Sequence, residues 1–68
     1  MERYTYEITF TRLDGKPDEV QQYTTEAVAK EAFGLFDEPD SAELYSRILL
    51  SRLDWQTGED EPLDALVF

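Results

Sequence analysis

Tyr-Thr-Tyr-Glu-Ile-Thr-Phe, residues 4–10, alternates apolar side chains of one parity with polar side chains of the other. A period of two, built from aromatic and β-branched residues, is the pattern of a strand with one buried face. The alternation extends to both sides, so we predict a strand from Arg3 to Leu13. Tyr6, Ile8 and Phe10 are expected in the core.

A turn and a second strand follow. The turn is Leu13-Asp14-Gly15-Lys16-Pro17, in which Gly tolerates the positive φ of a hairpin and Pro discourages a continuing ladder. Residues 18–23 then form a short strand whose apolar content is Val20 and Tyr23. Its polar character is typical of a sheet edge.

A helix is predicted from Glu26 to Phe36. Thr24 or Thr25 is placed to cap it, and Glu26 lies favourably near the positive end of the helix dipole. Gly34 weakens the last turn, and Pro39 makes continuation past residue 37 unfavourable. The expected core stripe follows spacings of three and four: Val28, Ala29, Ala32, Phe33, Leu35 and Phe36.

Residues 44–55 fit two patterns. In a helix, Asp40 is the cap and Glu43 completes a capping box. In a strand, this segment pairs with a returning strand at 63–68 across a turn at 56–59. We favour the strand, because the second hairpin explains the apolar residues 66–68. A short helical turn at 41–44 fits either interpretation.

The predicted order is therefore β-β-α-β-β, an α+β fold in one domain of residues 1–68. Four mostly antiparallel strands form a sheet with one helix packed on one face. In residues 44–55, Leu44, Ile48 and Leu50 are expected to face one way, with Ile48 in the core. The residues expected on the opposite, open face are Tyr45, Leu49, Leu53 and Trp55.

Composition excludes several kinds of chemistry. The 68 residues contain no cysteine and no histidine, which removes disulfides, thiolate zinc sites and histidine acid–base catalysis. Chance alone brings some carboxylates together when sixteen are present, and the serines have no histidine partner. A domain this small is not expected to enclose a pocket of ~300 Å³. We expect no enzyme activity and no cofactor.

Metal and membrane sites are not expected either. The stretch Asp54–Asp64 lacks the alternating oxygen ligands of an EF-hand loop. No apolar run approaches the ~20 residues of a membrane span, and the N-terminus has no signal-peptide pattern. Small secreted domains usually carry disulfides, so a cytoplasmic location is expected.

Charge is the most unusual property of the chain. Sixteen acidic residues against six basic ones give a net charge of −10, whereas solubility needs only about 2–8 charges in a small domain. At 41% hydrophobic residues the chain is nevertheless expected to fold. Its field repels DNA, RNA and anionic membranes and attracts basic protein surfaces.

Two kinds of surface are candidate binding sites. Carboxylates can imitate phosphates in a basic nucleic-acid groove, since an arginine fork grips them bidentately. The ordinary alternative is a solvated, solubilising surface. Trp55 and Tyr45 would instead anchor a partner or a homodimer on the open face, unless a bulge or the helical interpretation of residues 44–55 turns some of these residues into the core. The predicted acidic contacts are Asp37, Glu38, Asp40, Glu43, Glu59, Asp60 and Glu61, with Asp64 in the second cluster.

In size, charge and layout the chain resembles the small acidic inhibitor proteins of phages and mobile elements, which include anti-CRISPR proteins and DNA mimics. The resemblance covers the whole chain. It implies a rigid stoichiometric inhibitor that occupies the basic channel of a nuclease or another nucleic-acid-binding protein. The residues that would contact its arginines and lysines are Asp37, Glu38, Asp40, Glu59, Asp60 and Glu61.

Overall fold

The computed structural model describes residues 3–68 and has the predicted α+β fold. Four strands form one antiparallel sheet in the order β2-β1-β3-β4, and helices α1 and α2 lie between β2 and β3 in the chain. The element bounds are β1 Tyr4–Arg12, β2 Glu19–Tyr23, α1 Glu26–Gly34, α2 Ser41–Leu44, β3 Tyr45–Asp54 and β4 Asp60–Val67.

The core lies between the sheet and α1, as predicted from the alternation in β1. Ile8 pairs with Leu50 and Phe10 with Ile48, and paired residues share a face of the sheet. All four are fully buried. We call this side the helix face and the other side the open face. Leu50 therefore lies on the same face as Ile48, as the strand interpretation required.

Helix α1 begins at Glu26 and is capped by Thr25, whose Oγ1 accepts a hydrogen bond from the Val28 N–H at 3.3 Å. The second of the two predicted caps is therefore correct. The helix ends at Gly34, two residues before the predicted end at Phe36. Ala29 and Phe33 are buried, and Ala32 and Phe36 pack against the core.

Two members of the predicted helix stripe were assigned wrongly. Val28 and Leu35 are exposed, Leu35 by 73%. Val28 lies in the first turn and Leu35 at the C-terminal cap. Neither residue packs on the sheet, because the helix contacts the sheet through Ala29 and Phe33.

Residues 45–54 form a strand, so the favoured interpretation is confirmed, and the short helical turn precedes it as α2. A bulge leaves Ser46 without a partner residue in β1, since Thr11 pairs with Arg47 and Arg12 with Tyr45. An extra residue reverses the facing of everything before it. Tyr45 therefore turns to the helix face, where its ring centroid lies 5.1 Å from that of Phe10.

The predicted facings of Leu44 and Tyr45 were thus both wrong. Tyr45 packs against the core, and Leu44, expected beside Ile48, is 59% exposed at the end of α2. The alternative interpretation as a helix fails as well. Asp40 is the N-cap of α2, but its side chain makes no capping hydrogen bond.

Strand β4 begins at Asp60, three residues before the predicted start. A turn at 55–58 precedes it, and Gly58 has φ +75° there, as Gly15 has φ +77° in the first hairpin. A second bulge lies between Leu50 and Ser51, whose partners are Asp64 and Pro62. The extra residue is Leu63, which packs against the core.

The helix covers only part of the sheet. It packs on β1, β2 and β3, and β4 forms one free edge. Between residues 3 and 68, no helix has the length and apolarity needed to cross a membrane.

Candidate functional site

The first acidic cluster has an ordered backbone. Within the segment 37–43, Ser41 N–H donates to Glu38 O at 3.2 Å and Glu43 N–H to Asp40 O at 3.2 Å. The buried Ser41 hydroxyl donates to Phe36 O at 2.8 Å. These bonds hold the loop against the end of α1. Its four carboxylates are exposed, and none forms an ion pair within residues 3–68: Asp37, Glu38, Asp40 and Glu43.

The second acidic cluster differs in its pairing. The Glu61 carboxylate accepts a hydrogen bond from Arg52 Nη2 at 2.6 Å, and this ion pair joins β3 to β4. Because Leu53 pairs with Asp60 and Arg52 with Glu61, these two carboxylates point to opposite faces. Glu59 lies in the turn just before them, and its carbonyl accepts Asp54 N–H at 2.8 Å. Only part of this cluster is therefore open to a partner.

The segment 37–43 and residues 59–61 lie at opposite ends of the sheet, while Asp64 of the second cluster pairs with Leu50 in the middle of β3. The segment 37–43 leads into the start of β3, while residues 59–61 adjoin its end. A ten-residue strand separates them, which is about 30 Å at ~3.3 Å per residue. The segment 37–43 and residues 59–61 are therefore well separated from each other.

Most basic side chains are already paired with carboxylates inside the chain. Arg12 binds both Asp14, at 2.7 Å, and Glu19, at 2.6 Å. The Arg12 hydrogen bonds lower the pKa of Asp14 to about 2, and the guanidinium of Arg3 lowers the pKa of Asp54 below its ordinary value. The basic residues in ion pairs among the described residues are Arg3, Arg12, Lys30 and Arg52.

The acidic residues are left in large excess. Sixteen are present and Glu2 lies outside the described residues. Five of the other fifteen form ion pairs, so ten have no basic partner within residues 3–68. The uncompensated charge is therefore spread over the surface and is densest in the segment 37–43.

The open face presents a second kind of surface. Trp55 lies there, because its Nε1 donates to Thr5 Oγ1 at 2.7 Å and Thr5 has the parity opposite to Tyr6. With the indole N–H bonded, the residue as a whole remains 60% exposed. Leu49 and Leu53 lie on the same face, at the positions paired with Thr9 and Thr5. Tyr45, predicted here, lies on the helix face instead.

A groove that the sequence did not reveal runs between α1 and β4. It has a volume of about 520 Å³, larger than we expected for a chain of this size. Its lining residues on α1 and the sheet include Phe33, Leu50, Leu63 and Leu66. Asp37 and Asp64, one from each acidic cluster, also line it. The bulge that brings in Leu63 was not predicted from the sequence, although Pro62 beside it is typical of an edge strand or a bulge.

Within residues 3–68, no group of three or more acidic residues is arranged to hold a metal ion. This includes the stretch Asp54–Asp64. In that stretch Asp54 is engaged by Arg3, at 3.0 Å, and by Gln56 N–H, at 2.8 Å.

Relatives offer no further guide to the site. Comparison of the chain with protein-family models, with curated proteins and with solved structures yields no significant match.

Proposed function

We propose that this protein is a non-enzymatic binding protein that presents carboxylates to a basic surface of a partner. The observation that carries the proposal is the segment 37–43. Its four exposed carboxylates lack ion pairs among the described residues, and hydrogen bonds order its backbone. A partner's arginines could bind these carboxylates without first breaking an ion pair to a basic side chain among the described residues.

The charge balance supports a functional surface over a merely solubilising one. A net charge of −10 on 68 residues exceeds what solubility requires and destabilises the compact state by self-repulsion. Such a field accelerates encounter with a basic partner. Arginine forks that grip carboxylates bidentately would then slow dissociation.

A nucleic-acid-processing enzyme is the partner class we infer. Its basic groove is built for a regular array of negative charges, and the protein carries such charges at both ends of a sheet, about 30 Å apart at ~3.3 Å per residue. That distance corresponds to about nine base pairs at ~3.4 Å each. The mechanism is competition, in which the protein occupies the groove as a stoichiometric inhibitor and excludes DNA or RNA.

The test is capture of partners from a bacterial lysate on the tagged protein, washed at low and at high salt. We expect a nucleic-acid enzyme that is retained at low salt and released at high salt. Glu38→Lys with Asp40→Lys should abolish this capture. The matched control, Asp18→Lys with Glu31→Lys, changes the net charge equally at exposed sites elsewhere and should retain it.

Equal loss in both double variants would show that the segment 37–43 has no special role and that only total charge matters. A partner that is indifferent to salt would reject the proposal as a whole. Neither double variant changes a residue that lines the groove between α1 and β4, so the test leaves that lining as it is.

A second candidate function is assembly through the open face. The observation that favours it is the exposed Trp55 ring next to Leu49 and Leu53, since exposed apolar patches mark interfaces and Trp is a common anchor. If the protein homodimerises this way, Trp55→Ala should shift it to monomer in sedimentation equilibrium. Leu35→Ala, at an even more exposed apolar site at the end of α1, should not. A wild-type protein that is monomeric at high concentration would exclude this function.

A further inference from the structure

The groove between α1 and β4 joins an apolar floor to a free sheet edge. Phe33 of α1 is buried, Leu50 forms part of the floor, and Leu63 and Leu66 of β4 are half-buried beside them. Among the strands of residues 3–68, β4 has a neighbour only on its β3 side. An extended segment that lies along this edge would therefore place alternate side chains over the apolar floor.

The free edge offers backbone hydrogen bonds at defined residues. Phe68 N–H donates to Ser46 O at 3.1 Å, toward β3. Successive residues of a strand direct their N–H and C=O to opposite edges, so Val67 and Ala65 direct theirs outward. Ala65 N–H is held by the Asp64 carboxylate at 2.8 Å. An incoming carbonyl can replace that acceptor and release the carboxylate for a cation.

The charges along the groove are mostly negative. Asp37 and Asp64 line it and form no ion pair among the described residues, whereas Lys30, also on the wall, lies 3.6 Å from Glu26. Strand β4 adds Asp60 and Glu61 and has no basic residue. An occupant is therefore expected to bring a basic side chain between Asp37 and Asp64.

We propose that this groove binds an extended segment of a basic partner protein, added antiparallel to β4, with apolar side chains on the floor and an arginine or lysine between Asp37 and Asp64. Strand addition of this kind takes its affinity from main-chain bonds and its specificity from pockets for alternate side chains. Antiparallel pairing follows the rest of the sheet. The proposal deepens the proposed function, on which it rests, by stating how a basic partner is held.

A second copy of this chain fits the edge poorly. Pairing β4 with β4 would bring two acidic strands together, each with Asp60, Glu61 and Asp64, and like charges opposite one another destabilise a ladder. Pro62 and these acidic residues protect the edge against self-association. The same charges favour a basic strand.

The probe is the peptide acetyl-Thr-Leu-Thr-Arg-Thr-Leu-Thr-amide, titrated to about 1 mM into the ¹⁵N,¹³C-labelled protein. We expect the largest NMR shift changes at the Ala65 and Val67 amides and in the Phe33, Leu63 and Leu66 side chains. Val20 and Gln21 in β2, the other edge strand, should not change. In antiparallel addition the threonines lie opposite Ala65 and Val67 and bond to them, whereas the leucine and arginine N–H groups point away.

Modified peptides separate strand addition from simple charge attraction. N-methylation of the two threonines that flank arginine removes two bonds to β4 and should weaken binding at least about fivefold. N-methylation of the two leucines should leave binding unchanged. Citrulline in place of arginine keeps the shape without the charge and should weaken binding about fivefold.

Conservative variants identify the carboxylates involved. Asp37→Asn with Asp64→Asn should remove the preference for arginine over citrulline, while the side-chain amide introduced at position 64 still offers an oxygen to the Ala65 N–H. The matched control, Glu38→Gln with Asp40→Asn, lies outside the groove lining and should keep the preference.

Each further outcome decides the proposal. Equal binding of both N-methylated peptides, shift changes confined to the open face, or no binding at about 1 mM would overturn it. If salt-sensitive capture by the segment 37–43 persists in those cases, the proposed function stands without strand addition. If the peptide binds as expected and the Glu38→Lys, Asp40→Lys variant still captures the partner, then the groove contacts the partner and the segment 37–43 does not.

Discussion

Arg12 shows how single side chains set local stability in this acidic protein. At the end of β1 its guanidinium binds Asp14 at 2.7 Å and Glu19 at 2.6 Å, joining both strands of the first hairpin. Asp14 also accepts the Lys16 N–H at 3.0 Å, which fixes the turn that contains Gly15. The hairpin is thus closed by charge as well as by backbone pairing.

The low pKa of Asp14 predicts a specific pH dependence. Its pKa in the folded protein is about 2, against 3.8 ordinarily, mainly because of the Arg12 hydrogen bond. A group with a depressed folded pKa stabilises the fold above its unfolded pKa and loses that contribution as pH falls through the folded value. Asp14→Asn should therefore make the free energy of unfolding fall less steeply between about pH 4 and pH 2 in urea titrations.

Asp18→Asn is the control, because Asp18 is an exposed residue of the same turn region with no ion pair among residues 3–68. It should keep the wild-type slope. Identical slopes for wild type and Asp14→Asn would show that the Arg12 contact does not persist in solution.

At the scale of elements, α1 depends on its cap and on tertiary contacts. Nine residues are too few for a stable isolated helix, so its order comes from the buried Ala29 and Phe33 and from Thr25. Thr25→Ala removes the acceptor of the Val28 N–H and should cost about 1 kcal/mol of unfolding free energy. Chemical denaturation measures this directly.

Thr24→Ala is the matched control for the cap. It changes the neighbouring threonine, which is not the N-cap, and should alter stability by less than about 0.5 kcal/mol. A larger loss for Thr24→Ala than for Thr25→Ala would contradict the cap assignment.

The sequence predicted the elements well because their signals are local. Strict alternation in residues 4–10 identified β1 and the buried Tyr6, Ile8 and Phe10. The helical spacing of Ala29 and Phe33, next to a capping threonine, located α1. The second hairpin was recognisable from the turn around Gly58. In each case the decisive residues lie within a few positions of one another.

The facing of residues near the bulges was not predictable. Tyr45 lies on the helix face because Ser46 is an extra residue in β3, and a single extra residue reverses a strand's facing. Leu63 reaches the groove for the same reason in β4. Leu44 is exposed because it belongs to α2 and not to the strand. A bulge depends on how a strand pairs with its neighbour. The alternation of side chains within one segment carries no information about that pairing. The predicted binding role of Tyr45 on the open face fails with that reversal, whereas Trp55 keeps its position there.

On the scale of the whole molecule, the stabilisation that comes from a small core must exceed the repulsion within a large net negative charge. Within residues 3–68, seven apolar or aromatic residues are buried, and ten carboxylates have no ion-pair partner there. Small domains have few kcal/mol of net stability to lose. Repulsion between carboxylates is therefore expected to be a measurable fraction of the total, and salt is the means of varying it.

Raising NaCl from about 0.01 M to about 1 M shortens the Debye length from about 30 Å to about 3 Å. Screening weakens both the repulsion and the five surface ion pairs formed within residues 3–68, but such pairs each contribute only about 0–1 kcal/mol. Because the net charge is −10, repulsion should dominate and the Tm measured by circular dichroism should rise with salt.

Glu38→Lys with Asp40→Lys removes two carboxylates and adds two cations, so the Tm of this double variant should be higher at low salt and rise less. A parallel rise in both proteins would assign the salt effect to apolar burial, and a falling wild-type Tm would show that ion pairs outweigh the repulsion.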